Sequence, residues 1–159
     1  MKLVLPDEGA TAAFAARFAA ALPADFGVRL VLLEGELGAG KSTFARAVLR
    51  ALGHRGAVPS PTYTLVEPYE TAAGNVYHID LYRIGSEEEL YFLGFDELDD
   101  GLVLVEWPER APTLRSRADV KISFAYHASG RRAVVEGLSE RGRDLVAKLR
   151  AQEPKYRIK

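Results

Sequence analysis

Gly35-Glu36-Leu37-Gly38-Ala39-Gly40-Lys41-Ser42 is a complete phosphate-binding loop of the form GxxxxGK[ST]. Every fixed position has a mechanical task. The glycines let the chain turn tightly and turn backbone N–H groups toward phosphate oxygens. Lys41 reaches the β- and γ-phosphates, and the Ser42 hydroxyl is a ligand for Mg²⁺. The flanks suit the motif. Arg29-Leu30-Val31-Leu32-Leu33-Glu34 is a short apolar run that predicts a buried strand. From Ser42 to Leu52, apolar Phe44, Ala45, Val48, Leu49 and Leu52 recur at helical spacing. A strand–loop–helix unit places the positive end of the helix dipole under the phosphates.

Outward from the loop, the pattern predicts a helix over Asp7–Ala21 and strands over Tyr63–Glu70 and Gly74–Tyr82, joined at Thr71–Gly74. Ser86-Glu87-Glu88-Glu89 predicts a capping box opening a short helix, with Leu90, Phe92 and Leu93 on its apolar side. Gly101–Glu106 predicts a buried strand, and Pro108–Arg117 an irregular or briefly helical stretch. Asp119–Ala125 and Arg131–Gly137 predict a hairpin, and Ser139–Gln152 a last helix. The fold class is therefore α/β: one P-loop NTPase domain over residues 1–152, a mixed sheet flanked by helices. Residues 153–159 read as a short basic tail.

Composition narrows the function. The chain has 159 residues, which suits one domain. It has no cysteine, which excludes disulfides and thiolate metal sites. A net charge of −1 excludes a global basic field for gripping nucleic acid, so a role near RNA runs through a partner or a local patch. No apolar stretch reaches membrane-spanning length, and a cytoplasmic protein without a membrane partner is expected.

Hydrolysis or transfer needs a second acid beside the metal and a group that orients the nucleophile. Leu102-Val103-Leu104-Val105-Glu106 delivers a carboxylate at the C-terminal edge of a buried strand, where ligands of α/β sheets bind. Asp80 lies in a strand whose alternation puts His78, Asp80 and Tyr82 on one face. It either orients water or serves the metal's outer shell, or it forms a salt bridge with Arg83 or another basic group. Thr62, within Ser60-Pro61-Thr62-Tyr63-Thr64, either closes on Mg²⁺ or the γ-phosphate or begins a strand. Trp107 reads as core, as a lid or as a partner contact.

Four blocks, in order and spacing, resemble the bacterial TsaE (YjeE) family. They are Gly35–Thr43, Ser60-Pro61-Thr62-Tyr63-Thr64-Leu65-Val66, His78-Ile79-Asp80-Leu81-Tyr82-Arg83 and Leu104-Val105-Glu106-Trp107-Pro108. Leu5-Pro6-Asp7-Glu8 and Gly130-Arg131 are similar as well. The resemblance implies an ATP-binding and ATP-hydrolysing protein of tRNA threonylcarbamoyladenosine formation at adenosine 37, in tRNAs that read codons beginning with A. It would act with TsaB and TsaD, support the transfer carried out by TsaD, and reach tRNA indirectly. Carried onto this chain, it implies catalytic roles for Lys41, Thr62, Asp80 and Glu106. Nucleotide binding falls to Glu8, Gly35, Leu37, Gly38, Ala39, Gly40, Lys41, Ser42, Thr43 and Arg131. Ser42, where the family often has threonine, and Glu106 would hold Mg²⁺. ATP or ADP with Mg²⁺ is the expected ligand set. The alternative is a small-molecule kinase, whose arginine-bearing lid would draw on Arg110, Arg115 and Arg117.

Overall fold

A computed structural model describes residues 1–58 and 65–152. Seven strands form one sheet: β1 (Lys2–Leu5), β2 (Leu30–Glu34), β3 (Val66–Thr71), β4 (Gly74–Asp80), β5 (Gly101–Glu106), β6 (Val120–His127) and β7 (Gly130–Gly137). Their spatial order is β1-β7-β6-β2-β5-β4-β3. β2 pairs in parallel with both β5 and β6, and β4 in parallel with β5. The outer pairs are antiparallel. Strands covered on both faces read as continuous apolar runs. That is why Leu30-Val31-Leu32-Leu33 and Leu102-Val103-Leu104-Val105 lack alternation.

Helices α1 (Glu8–Ala21), α2 (Lys41–Ala51) and α4 (Glu140–Ala151) cover one face. There Phe14 and Phe18 of α1 meet Phe44 of α2 at ring-centroid distances of 5.2 and 5.5 Å. Phe44 also meets Phe124 of β6 at 5.6 Å. Such contacts fix the start of α2 against both α1 and the sheet. The other face is covered by α3 (Glu87–Phe92) and by 3₁₀ turns at Phe95–Glu97, Pro108–Arg110 and Pro112–Arg117.

The sequence-based boundaries hold closely, and Gly101–Glu106 holds at both ends. Asp7 caps α1 by accepting the Ala10 N–H at 2.8 Å, and Ser139 caps α4 by accepting the Gly142 N–H at 3.0 Å. β3 is an edge strand, which accommodates Pro68.

Three details differ. β1 was not anticipated, being only four residues paired with one neighbour. The capping box at Ser86 does not close. The Ser86 side chain caps nothing, and the Glu89 carboxylate accepts from Gly85 N–H instead, at 2.9 Å. The apolar side of α3 is also narrower than expected. Leu90 is buried, but Phe92 is 89% exposed, because the six-residue helix rests on the sheet along one line only.

Candidate functional site

The phosphate loop leaves the C-terminal end of β2 and enters α2 through Gly40. Gly35 (φ 146°) and Gly40 (φ 119°) both require a backbone conformation that side chains disfavour. At Gly35 there is a second reason. A Cβ there would stand 2.6 Å from the carbonyl oxygen of Phe124 on the neighbouring strand.

The β6–β7 hairpin props the loop from outside. Tyr126 donates its hydroxyl to the Leu37 carbonyl at 2.7 Å. The Arg131 guanidinium donates to the Gly38 carbonyl through Nε (3.2 Å) and Nη2 (3.0 Å), and lies 4.4 Å over the Tyr126 ring. Tyr126 was missed by sequence reasoning. The signal was there: Val120, Ile122 and Phe124 alternate inward along β6, and Tyr126 continues the series past the end of the core.

Lys41 is buried at the first turn of α2. Its ammonium donates to the Gly35 carbonyl and sits 3.5 Å from the centroid of the Trp107 ring. Burial pushes its pKa below the ordinary lysine value, while Glu106, Glu109 and Asp80 pull it back up. Glu109 did not figure in the sequence reading. Trp107 follows Glu106 directly and takes a left-handed conformation (φ 58°), which turns the chain sharply off β5. Its ring also packs on Tyr82, with centroids 4.9 Å apart.

β4 and β5 end side by side, with Asp80 in register with Glu106. Glu106 is 2% exposed. Its carboxylate accepts the Ser42 hydroxyl at 2.8 Å on Oε1, with Oε2 3.0 Å away, and Oε2 also meets His78 Nε2 at 2.5 Å. Asp80 is half-buried and accepts the Tyr82 N–H at 2.9 Å. Desolvation raises its pKa above the usual carboxylate value and Glu106 adds to the rise. The Tyr82 N–H, His78 and Lys41 oppose it. The salt bridges among the described residues do not include Asp80, with Arg83 or with another basic group.

A cleft of about 190 Å³ beside the loop brings Glu8, Gly38, Gly40, Thr43 and Arg131 together. Glu8 reaches it because β1 lies antiparallel to β7, with Leu5 opposite Arg131. Ala39 is buried beneath the loop and Leu37 is exposed at its tip. Thr62 lies outside the described residues, as does the tail after Gln152.

Of the three arginines considered for a kinase lid, two are held at the other end of the sheet. Arg117 pairs with Asp96 at 2.8 Å and lies over Phe95, and Arg115 pairs with Glu136 near the start of β6. Arg110 alone remains near the site, 5.7 Å from the Tyr82 ring.

The family model described as "Threonylcarbamoyl adenosine biosynthesis protein TsaE" matches residues 5–134, which include the phosphate loop, Glu8, Asp80, Glu106, Tyr126 and Arg131. The chain belongs to the TsaE family. The tRNA threonylcarbamoyladenosine biosynthesis protein TsaE of Haemophilus influenzae is 38% identical over 120 residues, 74% of this chain and 76% of that one. The TsaE of a Synechocystis species is 38% identical over 123 residues, with the same coverage. That of Rickettsia prowazekii reaches 48% over 82 residues, covering 50% of this chain and 57% of its own. A crystal structure of Bacillus subtilis YdiB superposes with a TM-score of 0.76 at 24% identity. It covers 96% of this chain and 95% of that one, and shows the same fold. The α/β reading with a mixed sheet is thereby established, and the relatives place the TsaE family in threonylcarbamoyladenosine biosynthesis. No helix among the described residues is long and apolar enough to cross a membrane.

Proposed function

We propose that this chain is a Mg²⁺-dependent ATPase that acts with TsaB and TsaD to support threonylcarbamoyl transfer to adenosine 37 of tRNA. The observation that carries the proposal is the Ser42–Glu106 pair at the mouth of a complete phosphate loop. Two hard oxygen donors from separate elements meet there, and the buried carboxylate has no lysine or arginine partner within salt-bridge distance among the described residues. A buried charge without a cationic partner is costly, and a divalent cation relieves that cost. The described residues include no cluster of three or more metal-binding side chains. This suits Mg²⁺, which takes one or two protein oxygens and completes its shell with phosphates and water.

The remaining roles follow from placement. The loop N–H groups and the α2 N-terminus hold the phosphates. Lys41 moves its ammonium from the Gly35 carbonyl and the Trp107 ring to the phosphate oxygens. The cleft of Glu8, Gly38, Gly40, Thr43 and Arg131 receives the nucleoside part of ATP or ADP. Asp80 stands beside Glu106 with an accessible carboxylate and orients the attacking water. When bound, Mg²⁺ supplies the positive charge that the phosphate oxygens need in the transition state. Thr62 is assigned by family resemblance to the part of the site that closes over the γ-phosphate.

No arginine of this chain is fixed toward the loop's phosphate side as a finger among the described residues. Among the described residues, Arg131 is bonded to the loop, and it is engaged with the Gly38 carbonyl. Many P-loop sites are completed by a partner's residue or by partner-driven ordering of a switch. Slow turnover by the isolated chain and productive turnover in the complex are therefore expected. The near-neutral charge favours tRNA contact through the partners.

The test is reconstitution: the chain, a TsaB–TsaD preparation, ATP and tRNA, followed over several rounds of modification. Omitting the chain should stop the reaction after the first rounds. Equal modification without it, together with no co-elution with the partners, would refute the proposal. Following labelled γ-phosphate to water or to an organic acceptor decides between the ATPase and the kinase alternative.

A further inference from the structure

His78 sits in β4 with its side chain fully buried. Its Nε2 lies 2.5 Å from Glu106 Oε2, while its Nδ1 is buried without a partner among the described residues. A side chain kept only to fill space would not carry an orphaned ring nitrogen, because burying one unpaired is costly and an aliphatic residue avoids it. What this histidine adds is one donor aimed at one carboxylate oxygen.

The geometry also selects a tautomer. Nε2 faces an acceptor-only carboxylate and must carry the proton. Nδ1 faces no acceptor among the described residues, so nothing there competes for the ring's N–H. Nε2–H is therefore the donor and Oε2 the acceptor. With Oε2 so held, Oε1 is left 2.8 Å from the Ser42 hydroxyl.

We propose that His78 is the positioning residue of the Mg²⁺ site. Its Nε2–H fixes the plane of the Glu106 carboxylate, so that Oε1 and the Ser42 oxygen face the cation together. This rests on the reading of Ser42 and Glu106 as the metal-holding pair. A glutamate has three side-chain torsions to restrain, and Ser42 alone would leave its head group free to rotate. Groups that orient a metal ligand in this way change metal affinity by roughly 10- to 100-fold when removed.

The experiment measures ADP affinity by calorimetry in excess Mg²⁺ and again in EDTA. The ratio is the gain due to metal. His78→Leu should lose about 10- to 100-fold of that gain and keep its affinity in EDTA. Its melting temperature should fall by no more than several degrees, since the lost bond to Glu106 is offset in part by removal of the orphaned nitrogen. His78→Gln, which can present an N–H near the position of Nε2, should recover part of the gain. A fully retained gain in His78→Leu would overturn the proposal. Glu106→Gln separates the two levels of the reading. If that variant loses the gain and His78→Leu does not, only the role of His78 falls. If both retain it, the metal assignment itself falls. Should His78→Leu fail to fold, nitrogen-15 spectra of histidine in the unsubstituted protein decide. They should show the proton on Nε2, with that signal shifting when Mg²⁺ and ADP are added. A proton on Nδ1 would overturn the proposal.

Discussion

Glu106→Gln keeps the shape of the side chain at the centre of the site and removes its charge. Two opposing terms set its effect on the fold. Glu106 accepts from Ser42 and His78 as a carboxylate, and hydrogen bonds to a charged group contribute about 1.5–3 kcal/mol against 0.5–1.5 for neutral ones. Converting two of them loses about 2–3 kcal/mol. Against this, a 2% exposed charge is no longer buried, which returns a desolvation cost of similar size. The amide also finds partners: its oxygen accepts from His78, and its nitrogen donates to the Ser42 oxygen. The net change in stability should stay within about 2 kcal/mol, roughly 4–8 °C in Tm for a chain of this length. The effect on catalysis has no such compensation. A lost anionic metal ligand removes several kcal/mol of charge stabilisation in the transition state, and about 3–4 kcal/mol corresponds to roughly 100- to 1000-fold in rate. ADP affinity in EDTA should be nearly unchanged, because the loop N–H groups and Lys41 are untouched. The assay is phosphate release in the presence of TsaB and TsaD, with calorimetry and melting curves on the same preparations. Near-normal hydrolysis in a folded variant would refute the metal-site reasoning. An equal fall in metal-free binding would show that the glutamine distorts the loop instead.

Lys41→Ala should weaken nucleotide binding by roughly 10- to 150-fold, the loss of one charge-assisted contact of about 1.5–3 kcal/mol; unchanged calorimetric affinity would sink the assignment. Gly35→Ala must place a Cβ against the Phe124 carbonyl at a φ that alanine resists, so a cost of about 1–3 kcal/mol, or roughly 2–12 °C in Tm, is expected by calorimetric scanning. Tyr126→Phe removes the donor to Leu37 and should lower nucleotide affinity a few-fold with little change in Tm, since that bond is at the surface and steadies only the loop. For Asp80 the sign is opposite to that of a salt-bridged acid. Its pKa is raised on folding from the model-compound value of 3.8, so the folded state holds the proton longer and the ionised form costs stability as pH rises through that window. Asp80→Asn should therefore melt higher than the parent at neutral pH, with the difference vanishing below about pH 4, while hydrolysis falls; a Tm difference independent of pH would count against it.

The elements that build the core of the site were legible because they are local. The loop, its strand and its helix occupy one stretch of chain, and β5 is a single apolar run closed by Glu106. What sequence reasoning missed depends on contacts between distant residues. Tyr126 bonds to Leu37 across 89 positions, and Arg131, expected as a nucleotide contact, also holds the Gly38 carbonyl across 93, a bond the sequence did not foretell. Their partners are backbone carbonyls, which no side-chain pattern records. β1 escaped notice for a related reason, since a four-residue strand is defined only by the neighbour it pairs with. On α3 the spacing of Leu90, Phe92 and Leu93 suggested one packed side. The helix is too short for periodicity to say how wide its contact is, and Phe92 faces outward. For Asp80, alternation fixed the face but not the neighbour, and only the pairing of β4 with β5 put it beside Glu106.

The contact between Lys41 and Trp107 makes the protein its own optical probe. Trp107 is the single tryptophan of the chain, and the ammonium lies 3.5 Å from the centre of its ring. A unit charge so close to an indole biases its excited-state dipole and so sets the colour of its emission. On the proposed function the lysine leaves for a phosphate, and that local field would then change. The emission spectrum would therefore track the position of one proton-bearing nitrogen in real time, without a dye or a label. Stopped-flow records of unmodified protein would time the handover of that charge separately from the later cleavage of the phosphate bond.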